Sequence, residues 1–376
     1  MKRTALFFFA ALLFLSAFGF HTFADSSPEK ELTEDYGKLF GTLPESIGER
    51  LPDGATGEDP LTDAEAMTDW RYIFSVISDA VGIELSRALP MLCSLCGLLI
   101  VSSVLECMRS ALSPRFGDIL SACCSCAVCT AAVALQYDTL VCAAKYIGDL
   151  CKLANLLLPL TVSLYAVGGN ISAASVSGGA FGIFLSICEN LLSKTVVPFS
   201  GICLAFAVSG CISSHIDLRP LAATVKKTYT TALGFLMTLF CTVTAAQNAI
   251  AAGSDSLGLR AAKFVAGSAI PVVGGSVSES MRTLAASIGM LRKSIGVCGI
   301  VMIFLLFLPT LISLLLIRAA NSLAASFGAI LGCSKESSLL SELSSVYGYI
   351  CAVLCMCSLM LIFILTLLVG AAAVGG

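Results

Sequence analysis

Residues 259–294 read LRAAKFVAGSAIPVVGGSVSESMRTLAASIGMLRKS, too polar for an ordinary membrane span although long apolar segments flank them. Lys263, Glu279, Arg282, Arg292 and Lys293 punctuate the stretch, and Pro271 with Gly274-Gly275 must interrupt any helix there. A broken, partly polar segment in an apolar chain is either an interfacial connector or the lining of a functional path. Residues 295–317, directly after it, form the strongest apolar run of all, with Pro309 inside and Arg318 at its end.

Composition says what surrounds this stretch. The 376 residues are 57% hydrophobic and 12% charged, with a mean hydropathy of +0.92. Soluble domains carry roughly 25% charged residues, so half of the usual solvating surface is missing. The expected fold class is an all-α polytopic membrane protein with amphipathic and broken helices. The net charge of -3 hides a segregation, with acidic residues crowding 25–69 and Lys and Arg dominating the short links further on. No basic stripe with interleaved aromatics exists, and nucleic acid is not an expected partner.

In chain order, residues 1–24 read as a secretory signal peptide, with Lys2-Arg3, an apolar core at 5–20 and a small-residue site ending at Ala24. An uncleaved first span is the other reading. Residues 25–71 are acidic and punctuated by Pro28, Pro44, Pro52 and Pro60, which predicts a flexible extracytoplasmic arm. Trp70, Tyr72 and Phe74 open an amphipathic lead-in to a helical membrane domain over 72–376. Apolar runs at 88–105, 119–135, 156–167, 181–192, 196–213, 231–251, 295–317 and 346–369 predict about seven to nine crossings. Segments 139–153 and 319–345 read as amphipathic links, and 215–229, with Arg219, Lys226 and Lys227, as a cytoplasmic loop. Whether 276–290 crosses or lies flat stays open.

Self-similarity adds a candidate internal repeat. Ala143-Ala144-Lys145-Tyr146, Pro159, Gly168-Gly169 and Leu192-Ser193-Lys194 recur in order as Ala261-Ala262-Lys263-Phe264, Pro271, Gly274-Gly275 and Leu291-Arg292-Lys293. The two units would run over about 139–213 and about 257–318. Paired helix breaks are where transporters place a site, because freed backbone groups must face protein or water. Lys263, Pro271, Gly274, Gly275, Gly168 and Gly169 are therefore the candidate pathway or hinge residues. Two interfacial loops closed by glycine would give the same pattern.

Other chemistry is sparse. The 18 cysteines sit mainly in apolar runs, and the C-x-x-C spacings Cys93/Cys96, Cys123/Cys126 and Cys126/Cys129 read as helix-face packing rather than metal binding. Glu189 lies near a span end and can snorkel to the headgroups; Asn155, Gln247 and Asn248 are candidates for interhelical hydrogen bonds. His215 with Asp217 lacks a recognisable nucleophile. No phosphate loop, metalloprotease motif or dinucleotide fingerprint occurs. Neither an enzyme activity nor a cofactor is expected.

The run Lys263-Phe264-Val265-Ala266-Gly267 into Ile270-Pro271-Val272-Val273-Gly274-Gly275-Ser276-Val277-Ser278, followed by Leu291-Arg292-Lys293-Ser294, resembles the stage III sporulation protein AE family of endospore-forming bacteria. The resemblance covers most of the chain after about Tyr72. It implies a multi-pass subunit in the mother-cell membrane around the engulfed forespore. There it would belong to a channel or secretion-like complex with a secretion-type ATPase, ring-forming membrane proteins and a forespore partner. A permease-like transporter with its site between the two broken-helix units, or a non-transporting scaffold, are the alternatives. The resemblance carries over no catalytic residues.

Overall fold

Prolines and helically spaced apolar residues organise the first part of the structure. The computed structural model describes residues 28–109, 114–167, 170–188, 194, 198–203, 205, 209, 219–269 and 274–371. Side chains at 28–31, 109, 114–115, 118, 219, 252, 255–269, 274–285 and 370–371 lie outside the described set. Helix α1 spans Pro28–Gly41, α2 Glu45–Gly48 and α3 Pro60–Thr68. Pro28 and Pro60 occupy first helical positions, where the missing N–H costs nothing and the fixed φ helps. Asp59 caps α3, accepting from Leu61 N at 3.1 Å. Leu32, Tyr36 and Leu39, at i, i+4 and i+7, are buried together with Ile47 and Met67. Before α3 the chain turns through Gly57 at φ +78, where an added Cβ would lie 2.7 Å from Phe40 Cβ. Buried Asp63 holds that turn, accepting from Thr56 N at 2.9 Å and Gly57 N at 3.0 Å.

The segment expected to be a flexible arm is thus folded over its described part and packed on the long helices. Tyr36 donates to Cys298 Sγ at 3.3 Å, and burial pushes its phenol far above the usual tyrosine range. The prolines read as turn signals act as helix starters once the apolar stripe finds a face to cover.

Six further helices make the body: α4 (Trp70–Arg109), α5 (Pro114–Val167), α6 (Ile171–Ser186), α7 (Arg219–Ala269), α8 (Gly274–Ile330) and α9 (Ser334–Ala371). The described residues hold no strand, and five of these helices, all but α6, are long and apolar enough to cross a membrane. The chain is an all-α polytopic membrane protein. Of the expected crossings, 181–192 is described only to residue 188 and 196–213 only at 198–203, 205 and 209, while Glu189, His215 and Asp217 lie outside the described residues. The rest of the difference from seven to nine crossings comes from fusion. Segments 119–135, 139–153 and 156–167 form the single helix α5, and Pro159 is accommodated within it. Segment 276–290 is the continuous lead into the span of α8. The link at 319–345 is a tight hairpin: α8 runs on to Ile330, Gly332 turns at φ +83, and α9 starts at Ser334.

Interhelical bonds fix the register. Along α5, Gln136 and Asn321 exchange amide bonds at 2.8 and 2.9 Å, while Arg292 donates to Leu164 O at 3.2 Å, so α8 runs antiparallel to α5. Tyr347 donates to the Gln136 carbonyl at 3.4 Å, Tyr146 bonds Ser358, and Tyr165 donates to Leu367 O at 3.2 Å, so α9 runs parallel to α5. Both Gln136 and Asn321 are fully buried, and each satisfies the other. That pair takes the role expected of Asn155 and Gln247, whose side chains face outward. Glycines let α8 and α9 touch: a Cβ on Gly296 would meet Val369 Cγ2 at 2.4 Å.

Lengths set a further limit. At 1.5 Å per residue α5 is roughly 80 Å long, more than twice the hydrocarbon thickness of about 30 Å. Its middle carries Asp138, Lys145, Asp149 and Lys152, so a polar belt separates two apolar stretches of one helix.

Candidate functional site

The belt opens into a cavity of about 760 Å³ between the N-terminal helices, α4, α5 and α8. On α5, Asp138, Cys142, Lys145 and Asp149 follow at i, i+4, i+7 and i+11, one helical face, and all line it. Glu84 and Arg87 of α4 face them, paired at 3.3 Å. Buried Asp149 accepts from Lys152 at 3.0 Å and from Ser46 at 3.4 Å, which ties the N-terminal segment to α5. Asp138 and Lys145 are exposed and have no hydrogen bond or ion pair among the described residues. Met91, Leu135, Leu306 and Ile317 form apolar wall, giving the mixed lining typical of a small-solute site.

Two prolines lie at this level, Pro90 in α4 and Pro309 in α8, and both line the cavity. Pro309 has no N–H, so the Leu305 carbonyl four residues earlier loses its helical donor. Arg50 of the N-terminal segment answers it: its Nη1 donates to Leu305 O at 3.4 Å and to Ser46 O at 3.3 Å. The Tyr72 hydroxyl then donates to the Arg50 carbonyl, which joins the start of α4 to the same corner. The N-terminal segment thereby forms one wall of the cavity and satisfies the interrupted helix beside it.

A second arginine contact lies at the far end of α5, where the Leu164 carbonyl falls in the last described turn before Val167. Arg292 of α8 meets it, 3% exposed, with its guanidinium 4.8 Å from the Tyr165 ring centroid. No carboxylate pairs with it among the described residues, and its Nε has no partner. The negative end of the α5 dipole and the aromatic face are its compensation. Arg292 reads in sequence as part of a basic link; only the fold shows it buried.

The expected pathway residues stand as follows. α7 is described to Ala269 and α8 from Gly274, and the expected break at residues 270–273 lies outside the described residues. The backbone of Lys263 is helical within α7. Pro271, Gly168 and Gly169 lie outside the described residues, as do the side chains over 255–285. The helices that follow the two expected breaks differ in length, since α6 has 16 residues and α8 has 57. The cavity residues Arg50, Asp138 and Asp149 were not among the sequence candidates. The periodic polar face of α5 was the signal available for Asp138 and Asp149. The expected cytoplasmic loop is also different: Lys226 is buried in α7 and bonds Glu342 at 3.0 Å and Ser345 at 2.7 Å. Of the C-x-x-C cysteines, Cys93, Cys123 and Cys126 face outward, whereas Cys129 packs in the core.

The chain matches the family model for stage III sporulation protein AE over residues 56–372. It is 25% identical over 239 residues to the stage III sporulation protein AE of Bacillus subtilis (strain 168), covering 64% of this chain and 59% of that protein. The match therefore spans less than two thirds of the relative's length. No solved structure matches the chain. With a family match across the helical body that also builds the cavity, the chain belongs to the stage III sporulation protein AE family.

Proposed function

We propose that this protein is an integral membrane subunit of a channel or secretion-like complex that joins mother cell and forespore after engulfment. The observation carrying the proposal is the family match over residues 56–372. The cavity supports it, since apolar helices have been given a polar belt where a non-transporting anchor needs none. In this reading the protein sits in the mother-cell membrane, with its acidic N-terminal helices on the extracytoplasmic side, available to ring-forming subunits. A secretion-type ATPase would act from the mother-cell side. The chain itself would have no catalytic role. Deleting the gene should leave engulfed forespores that stall; normal yields of heat-resistant spores from the deletion would contradict the proposal.

A permease-like core within that complex is the second reading. The cavity, with its mixed polar and apolar lining, favours it. Replacing Gly274 and Gly275 with bulky residues should then stop sporulation while the protein still assembles in the membrane. Full spore yield in that double variant would remove this segment from the pathway.

A further inference from the structure

Glu336 lies in the first turn of α9, within a helix apolar enough to cross a membrane, and is 6% exposed. Its side chain does not turn back to cap its own helix; it reaches across to α4 and α5. Oε1 accepts from Ser125 Oγ at 2.8 Å and from Ser102 Oγ at 3.3 Å, and these serines are 1% and 5% exposed. Three helices thus bring one carboxylate and two hydroxyls to a single buried point.

No cation pairs with Glu336 among the described residues. Its neighbour Lys335 reaches Ser121 Oγ at 3.5 Å instead. The contrast with Glu342, less than two turns on, is direct: there Lys226 supplies the opposite charge at 3.0 Å. A carboxylate taken out of water needs compensation, and neutral hydroxyls with a helix N-terminus supply only part of it. Backbone oxygens are close by, since Leu331 O accepts from Ser103 at 3.0 Å and Leu99 O from Cys333 Sγ at 3.7 Å. The donor set is hard and singly charged. It suits a monovalent cation, whereas divalent ions take more charge and more oxygens.

We propose that Glu336, Ser102 and Ser125 form a binding site for a sodium ion, which fastens the start of α9 to α4 and α5. The other titratable or charged groups around it are Cys124 of α5, Glu106 of α4, Cys333 at the turn and Lys335 itself. The site is separate from the polar cavity, which takes its α5 residues from Leu135 onward.

The test is thermal unfolding of the purified full chain in detergent, in sodium chloride or choline chloride at equal ionic strength and one pH. Sodium should raise the midpoint of the wild type and leave Glu336→Gln unmoved. Glu342→Gln, which removes a carboxylate already paired with Lys226, should keep the wild-type response. If Glu336→Gln does not fold, Ser125→Ala decides, because it keeps the charge and removes one hydroxyl. It should then need about tenfold more sodium. Identical sodium responses in wild type and Glu336→Gln, or in wild type and Ser125→Ala, would overturn the site.

Discussion

Two helix carbonyls in this molecule are met by arginine, and the two arginines differ in exposure. At Pro309 the freed Leu305 carbonyl accepts from Arg50, an exposed residue of the N-terminal segment that lines a cavity of about 760 Å³. At the end of α5 the Leu164 carbonyl accepts from Arg292 of the long helix α8, which is 3% exposed. The first contact can therefore open at little cost and suits a moving wall, while the second holds the bundle's register.

The sharpest way to break that comparison is Arg292→Ala. It leaves the Leu164 carbonyl without its guanidinium donor and the Tyr165 face without its cation, a loss of about 1–3 kcal/mol even after relief of the guanidinium's own desolvation. A lower unfolding midpoint in detergent and less protein in the membrane are expected. Arg292→Met, which keeps side-chain volume without the charge, should lose less. Equal loss in both would place the effect in the charge rather than in packing.

Arg50→Ala should cost under about 1 kcal/mol, because solvent takes over the Leu305 carbonyl. Its effect should instead show as faster proteolysis within α1–α3, with the unfolding midpoint of the body unchanged. A midpoint drop as large as that of Arg292→Ala would mean the two contacts are alike and the cavity is closed to water.

Sequence reading reached the helical membrane class because periodicity and missing charge are local properties. It failed where long-range partners decide. Lys226 looks like a loop cation until Glu342 lies beside it, 116 residues away. Leu32, Tyr36 and Leu39 carried a helical stripe, but the prolines around them outweighed it until a surface such as Cys298 was available to cover. Segments 139–153 and 319–345 looked like links because polar residues dilute them. In the structure, those residues are the polar belt and the α8–α9 hairpin. Arg50 and Asp149 could not be joined in advance, since nothing local pairs a residue of an acidic segment with a proline 259 positions later.

The central claim, a water-filled polar belt between apolar stretches of α5, is tested most directly with two native cysteines. Cys142 lines the cavity and is exposed, while Cys151, on the same helix, is buried. Two variants, each keeping one of these and lacking the other 17 of the 18 cysteines, are labelled with a membrane-impermeant maleimide in membrane vesicles of both orientations. Labelling at Cys142 from one side, with Cys151 protected from both, is the predicted result. Protection of Cys142 from both sides would contradict the account.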